Sequence, residues 1–129
     1  MKTYTILILC LLIGIILIVG SCGAFSSPDT IAQNFISDVD AGNYSSLINY
    51  IHPDQPSYSS INDSFWRTDF PSGYSYSLTG VSESETSSSA TVTATLNRNS
   101  NTSSIQFDFR KDGLSWKIYD ILINSTSIF

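Results

Sequence analysis

The chain has 129 residues, eleven of them acidic and six basic, for a formal charge of −5 at pH 7, with two cysteines and one histidine. That length holds one domain behind a leader and is too short for two substantial ones. The acidic balance argues against nucleic acid or an anionic lipid surface as a partner, because both would have to be held by charge of the opposite sign. In chain order, Lys2 and the terminal amine give a modest positive start, and the run from Ile6 to Val19 is almost entirely Ile, Leu and Gly. Such a run has the length of an export-signal core and lies at the short edge of what spans a bilayer. Gly20 and Ser21 are small enough to enter a narrow peptidase cleft, and Cys22 follows them. A signal peptide over 1–21 is expected.

The stretch Val19-Gly20-Ser21-Cys22 resembles the lipobox of prokaryotic lipoproteins, with a branched apolar residue, two small residues and the cysteine directly after the apolar core. The resemblance implies lipidation of the Cys22 thiol, membrane attachment through that lipid, and a domain facing the periplasmic or extracellular side. The competing reading is an ordinary Cys22 after an uncleaved transmembrane anchor. Cys10 lies within the leader and leaves with it on cleavage, so the mature chain has no cysteine pair for an internal disulfide. Its stability must then come from its core.

Residues 22–26 form the lipidated cysteine and a short tether that keeps the domain, 27–129, close to the membrane. Ser27-Pro28-Asp29 opens a helix with a cap, a proline where the missing N–H is harmless, and an acid in the first turn. Ile31, Phe35, Ile36 and Val39 make its apolar stripe. Ala41-Gly42-Asn43 ends this helix and caps a second, with Leu47, Ile48 and Ile51 inward and His52-Pro53 as its stop. Residues 53–73 are broken by Pro53, Pro56 and Pro71, and a third short helix is expected near Ser59 to Trp66, since Ile61 and Phe65 lie four apart. Four sequons, at Asn43, Asn62, Asn101 and Asn124, are potential glycan acceptors.

From Tyr74 the apolar period becomes two. Tyr74, Tyr76 and Leu78 alternate, and Val81 changes phase after Gly80, as a bulge would make it. Ala90, Val92, Ala94 and Leu96 form a second strand, and Ile105, Phe107 and Phe109 a third. Lys111-Asp112-Gly113 turns into a fourth that starts at Trp116 and Ile118 and loses strict alternation over Tyr119 to Ile123. Hairpin-length links imply an antiparallel sheet whose apolar face needs the helices across it. The expected class is α+β, with N-terminal helices packed on a curled four-stranded antiparallel sheet.

Three stretches carry a further resemblance: Asp40-Ala41-Gly42-Asn43-Tyr44 between the helices, Tyr50-Ile51-His52-Pro53 after them, and the closing hairpin from Phe107 to Ile118. Over roughly 27–123 the chain resembles the nuclear transport factor 2-like superfamily, in particular its small lipoprotein members. That resemblance implies a sheet curled around the first helix into a cone whose mouth can hold a ligand. Some members are isomerases, dehydratases or cyclases that use an Asp, Tyr or His inside the cone, and many others only bind or dimerise through the sheet.

Few residues offer chemistry. His52 pairs with Asp54 only across Pro53 and off any shared helix face, which suits a helix-end role better than general-base catalysis. A single histidine without a Cys or Glu partner set does not make a selective zinc site. Asp108 alternates outward between Phe107 and Phe109 and is expected to pair with Lys117 across strands. Asp120, counted from Trp116 and Ile118, falls on the apolar side, where a carboxylate is costly unless it reaches the rim or lines a pocket. Trp66, Tyr74 and Tyr76 are candidates for lining the cone's mouth. No phosphate loop, nucleophile elbow or cofactor motif occurs. The function expected is a non-catalytic, membrane-anchored extracytoplasmic domain that binds a small molecule or a protein partner, a second copy included. The alternative is an isomerase- or dehydratase-like enzyme using His52 or Asp120.

Overall fold

The computed structural model describes residues 25–129; the expected signal peptide, Cys22 and the start of the tether lie outside the described residues. Helix α1, Pro28–Asp40, has proline in its first turn and buries Ile31, Ala32, Phe35, Ile36 and Val39 on one face. Ser27 does not cap a backbone N–H. Its hydroxyl instead donates to the Asp29 carboxylate, while the Asp29 N–H is taken by Glu83 Oε2 at 3.0 Å. Gly42 adopts φ +75° and lets the chain leave the helix, and the Asn43 N–H closes the last turn on the Asp38 carbonyl.

The expected second helix is a 3₁₀ helix, Tyr44–Tyr50, without a side-chain cap from Asn43. The residues between Tyr44 and Tyr50 include Ser45, Ser46 and Asn49, which compete with the backbone for its own hydrogen bonds; the Ser46 hydroxyl donates to the Asn43 carbonyl at 2.7 Å. In 53–73 the helix begins later than expected. A short 3₁₀ turn, Tyr58–Ser60, is followed by α2, Asp63–Asp69, because Asn62 is extended and its Oδ1 accepts from the Phe65 N–H at 3.1 Å.

The sheet is a simple meander of β1 Tyr76–Glu85, β2 Ser89–Arg98, β3 Asn101–Asp112, β4 Ser115–Ile123 and β5 Thr126–Ser127, antiparallel throughout. It therefore has five strands where four are expected. The fifth arises because Asn124 and Ser125 both take positive φ, 50° and 66°, which makes a two-residue hairpin without glycine. Two register shifts bend the sheet. One lies between Thr79 and Ser82, where Gly80 at φ +61° accounts for the phase change at Val81. The other lies opposite Asp108 and Phe109, where Tyr119 is the extra residue of β4.

The core lies between α1 and one face of the sheet. Phe35 is its centre and meets Tyr50, Trp66, Phe70 and Phe107 edge-on, with ring centroids 5.8, 5.4, 5.9 and 5.9 Å away. Each such contact adds roughly 0.5–1.5 kcal/mol beyond the area it buries. Ala90, Val92, Leu96, Ile105, Phe107, Phe109, Trp116, Ile118 and Ile121 close the core from the sheet side. Phe129, after β5, stacks on Phe65 at 5.6 Å and meets Trp66 edge-on at 6.0 Å. Among the described residues no helix is long and apolar enough to cross a membrane.

Candidate functional site

The bulge at Tyr119 decides where the polar groups of β4 point. Ile118 pairs with Phe109 and Ile121 with Phe107, so both face the core, and the extra residue between them sets Asp120 directly across from Asp108 on the outer face. The expectation that Asp120 shares the apolar side is therefore corrected: counting by twos fails across a bulge. Asp108 does not pair with Lys117. Lys117 stands opposite Arg110, and its ammonium donates to the Asn49 carbonyl.

On this outer face each carboxylate is held by one oxygen. Asp108 Oδ1 accepts from Thr91 Oγ1 at 3.1 Å and from Gln106 Nε2 at 2.9 Å. Asp120 Oδ1 accepts from the Ile121 N–H at 2.8 Å and from Ser127 Oγ at 2.6 Å. The Arg110 guanidinium lies 3.4 Å from the centroid of the Tyr119 ring, so the bulged residue is the platform for the one cation of the group. Thr91, Gln106, Asp108, Arg110, Tyr119 and Asp120 line an open concavity of about 480 Å³.

His52 stands behind this surface. It is only 7% exposed. Its Nδ1 accepts from the Asp54 N–H at 3.1 Å and its Nε2 lies 3.0 Å from the Lys111 carbonyl, an arrangement that requires the Nε2–H tautomer. The His52 N–H donates to the Ile118 carbonyl at 2.7 Å, and the ring meets Tyr119 edge-on at 6.0 Å. The expected helix-end role is thus replaced by a tertiary one. The imidazole ties the segment after the 3₁₀ helix to β3 and props the Tyr119 ring under Arg110.

The three aromatics expected at a pocket mouth are placed differently. Trp66, 1% exposed, is packed among Phe35, Phe65 and Phe129. Tyr76 is buried, with its hydroxyl donating to the Pro71 carbonyl at 2.6 Å and its N–H to Asp40 Oδ1 at 2.7 Å. Tyr74 is 43% exposed under the Arg98 guanidinium, 5.2 Å from its ring centroid. The interior that the cone would offer a ligand is filled by Phe35 and its neighbours. All four sequon asparagines are exposed. Among the described residues no three His, Cys, Asp or Glu side chains gather as a metal site.

The residues that sequence reasoning missed are Arg110 and Tyr119, whose pairing depends on the bulge. The loss of alternation after Tyr119 is the one signal that marks the place.

No family model matches the chain, and no curated protein matches it. Solved structures do resemble it. A protein of unknown function with a cystatin-like fold from Nostoc punctiforme is 13% identical, covers 73% of this chain and 84% of its own, and superposes with a TM-score of 0.59. A SEC-C motif-containing protein from Rhodopseudomonas palustris is 17% identical, covers 74% of this chain and 77% of its own, with a TM-score of 0.54. At these identities the likeness concerns the fold alone, which is α+β and cystatin-like, the architecture related to nuclear transport factor 2-like cones.

Proposed function

We propose that this protein is a non-catalytic extracytoplasmic domain of the nuclear transport factor 2-like kind, anchored by a lipid on Cys22, that holds a protein partner on the outer face of its sheet. A second copy of the chain is one such partner. The observation that carries this reading is the division of the molecule: aromatic packing fills the space between α1 and the sheet, and the fixed polar groups stand on the sheet's other face on β3 and β4. Thr91, Gln106 and Ser127 hold the two carboxylates in place, so little side-chain entropy is lost when a partner docks. Arg110 on its aromatic platform is one of the residue types enriched among interface anchors.

The enzyme alternative draws no support from its two named residues. Both ring nitrogens of His52 are engaged by backbone groups, and Asp120 faces away from the interior. A small polar ligand is the second reading, favoured by the concavity of about 480 Å³, a size within the usual range for ligand sites.

A photo-crosslinking residue in place of Thr93, on the outer face, tests the proposal in intact cells carrying the full chain. A discrete adduct of partner size, or of twice the chain's own mass, is expected from Thr93 and not from Gln33 on the exposed side of α1, and Arg110→Glu is expected to abolish it. Equal labelling from both positions, or none from either, contradicts the proposal.

A further inference from the structure

We propose that the end of the domain bearing the β3–β4 hairpin rests on the lipid bilayer, with Leu114 and Phe25 in the interfacial layer. This rests on the anchored reading above. Leu114 and Phe25 are 74% and 64% exposed, the two most exposed large apolar side chains among the described residues. They border one surface concavity together with Ser26, Glu85, Lys111 and Trp116. The β1–β2 turn shares this end, since the Lys111 N–H donates to the Ser88 carbonyl at 3.3 Å.

The occupant follows from the chain itself. Phe25 lies three residues after Cys22, so even a fully extended tether places it within about 11 Å of the attachment point. An uncleaved anchor ending at Val19 leads into the same end of the domain. The bilayer is therefore always beside this patch, at an effective concentration no soluble partner matches. Gly113, at φ +61°, pushes the two-residue loop outward and leaves Leu114 at its tip. Beside it Lys111 lays its ammonium over the Trp116 ring, 4.0 Å from the centroid; lysines at a membrane interface likewise keep a charged head beside apolar surface. Because the chain is acidic overall and Glu85 stands at the same edge, apolar insertion and the tether hold the contact, not net charge.

The opposite end of the sheet serves as the control. Ser100, in the β2–β3 turn, lies at the other end of β3, Asn101–Asp112, roughly 35–40 Å away at strand rise. Leu114→Trp and Ser100→Trp replace exposed turn residues and leave the core untouched. Each full-length protein, purified with its native anchor and reconstituted in phosphatidylcholine vesicles with and without bromine on the upper acyl carbons, is floated on a density gradient and its fluorescence compared with the unsubstituted protein. Flotation of both, with bromine-dependent loss of the added emission for Leu114→Trp alone, is the expected result. Flotation with no more quenching at 114 than at 100 overturns the docking and leaves the anchor standing. Failure to float overturns both.

Discussion

Asp38 gathers three donors from the segment that follows its helix: Asn43 Nδ2 at 3.2 Å, Ser46 Oγ at 3.4 Å and the Tyr50 hydroxyl at 2.6 Å. Burial, with the Asp38 hydrogen bond and charge second, pushes the Tyr50 phenol up to about 12. The fold thus prefers the neutral phenol. Its contribution to stability is complete below the ordinary tyrosine value, about 10, and is lost as pH rises from there through about 12. Asp38→Asn should bring the phenol back towards its ordinary value, read as the difference in phenolate absorbance against a Tyr50→Phe protein; an unchanged titration contradicts this contact. At the other end of α1 the Ser27 hydroxyl lowers Asp29, while burial raises Glu83. The stability due to Asp29 is therefore lost as pH falls through its lowered value, and that due to Glu83 as pH rises through its raised one. None of these pairings is visible in the sequence, because each joins residues brought together by a turn or by the sheet. What the sequence does display at this scale is the apolar stripe of α1, since Ile31, Phe35, Ile36 and Val39 follow directly from helical spacing.

The bulge in β4 makes a sharp statement about length. Ile118 and Ile121 both face the core with two residues between them, one more than regular alternation allows. Deleting Tyr119 should therefore restore regular alternation and keep the fold, with Asp120 still opposite Asp108, while removing the platform under Arg110. Replacing Ile121 with alanine should instead empty a core position and cost roughly 2–5 kcal/mol. Urea unfolding of the two variants distinguishes them, and equal losses contradict the assigned bulge. Both irregularities of the sheet leave a trace in the sequence: Gly80 before Val81, and the broken alternation after Tyr119. The second trace marks an irregularity but not its position, and a shift of one residue decides which face Asp120 takes. The fifth strand and the 3₁₀ geometry of Tyr44–Tyr50 were hidden for a different reason. A glycine-free Asn-Ser hairpin and a serine-rich turn carry no strong local signal, and tertiary packing decides them.

For the whole molecule, Phe35 joins the helix layer, the 53–73 segment and the sheet in one cluster. Phe35→Ala should cost about 3–5 kcal/mol in chemical denaturation, whereas Arg110→Ala, which removes a surface cation–π contact, should cost no more than about 1 kcal/mol. That contrast separates a residue that builds the fold from one proposed for recognition; a comparable loss from both would place Arg110 in the fold's stability. The α+β class was legible because periods of 3.6 and then 2 run through long, clean segments. The aromatics of the expected mouth were not, because composition cannot tell a side chain that lines a cavity from one that fills it. The proposed orientation of the molecule, with its hairpin end towards lipid and the outer face of the sheet free for a partner, rests on an anchor just before the domain, and the proposed function places that anchor on Cys22. Intact mass spectrometry of the protein extracted from its native membrane, beside a Cys22→Ala form, tests that attachment most directly. A mature chain beginning at Cys22 and carrying an acyl mass absent from the variant is the predicted result; an unmodified chain that retains Met1 would contradict it.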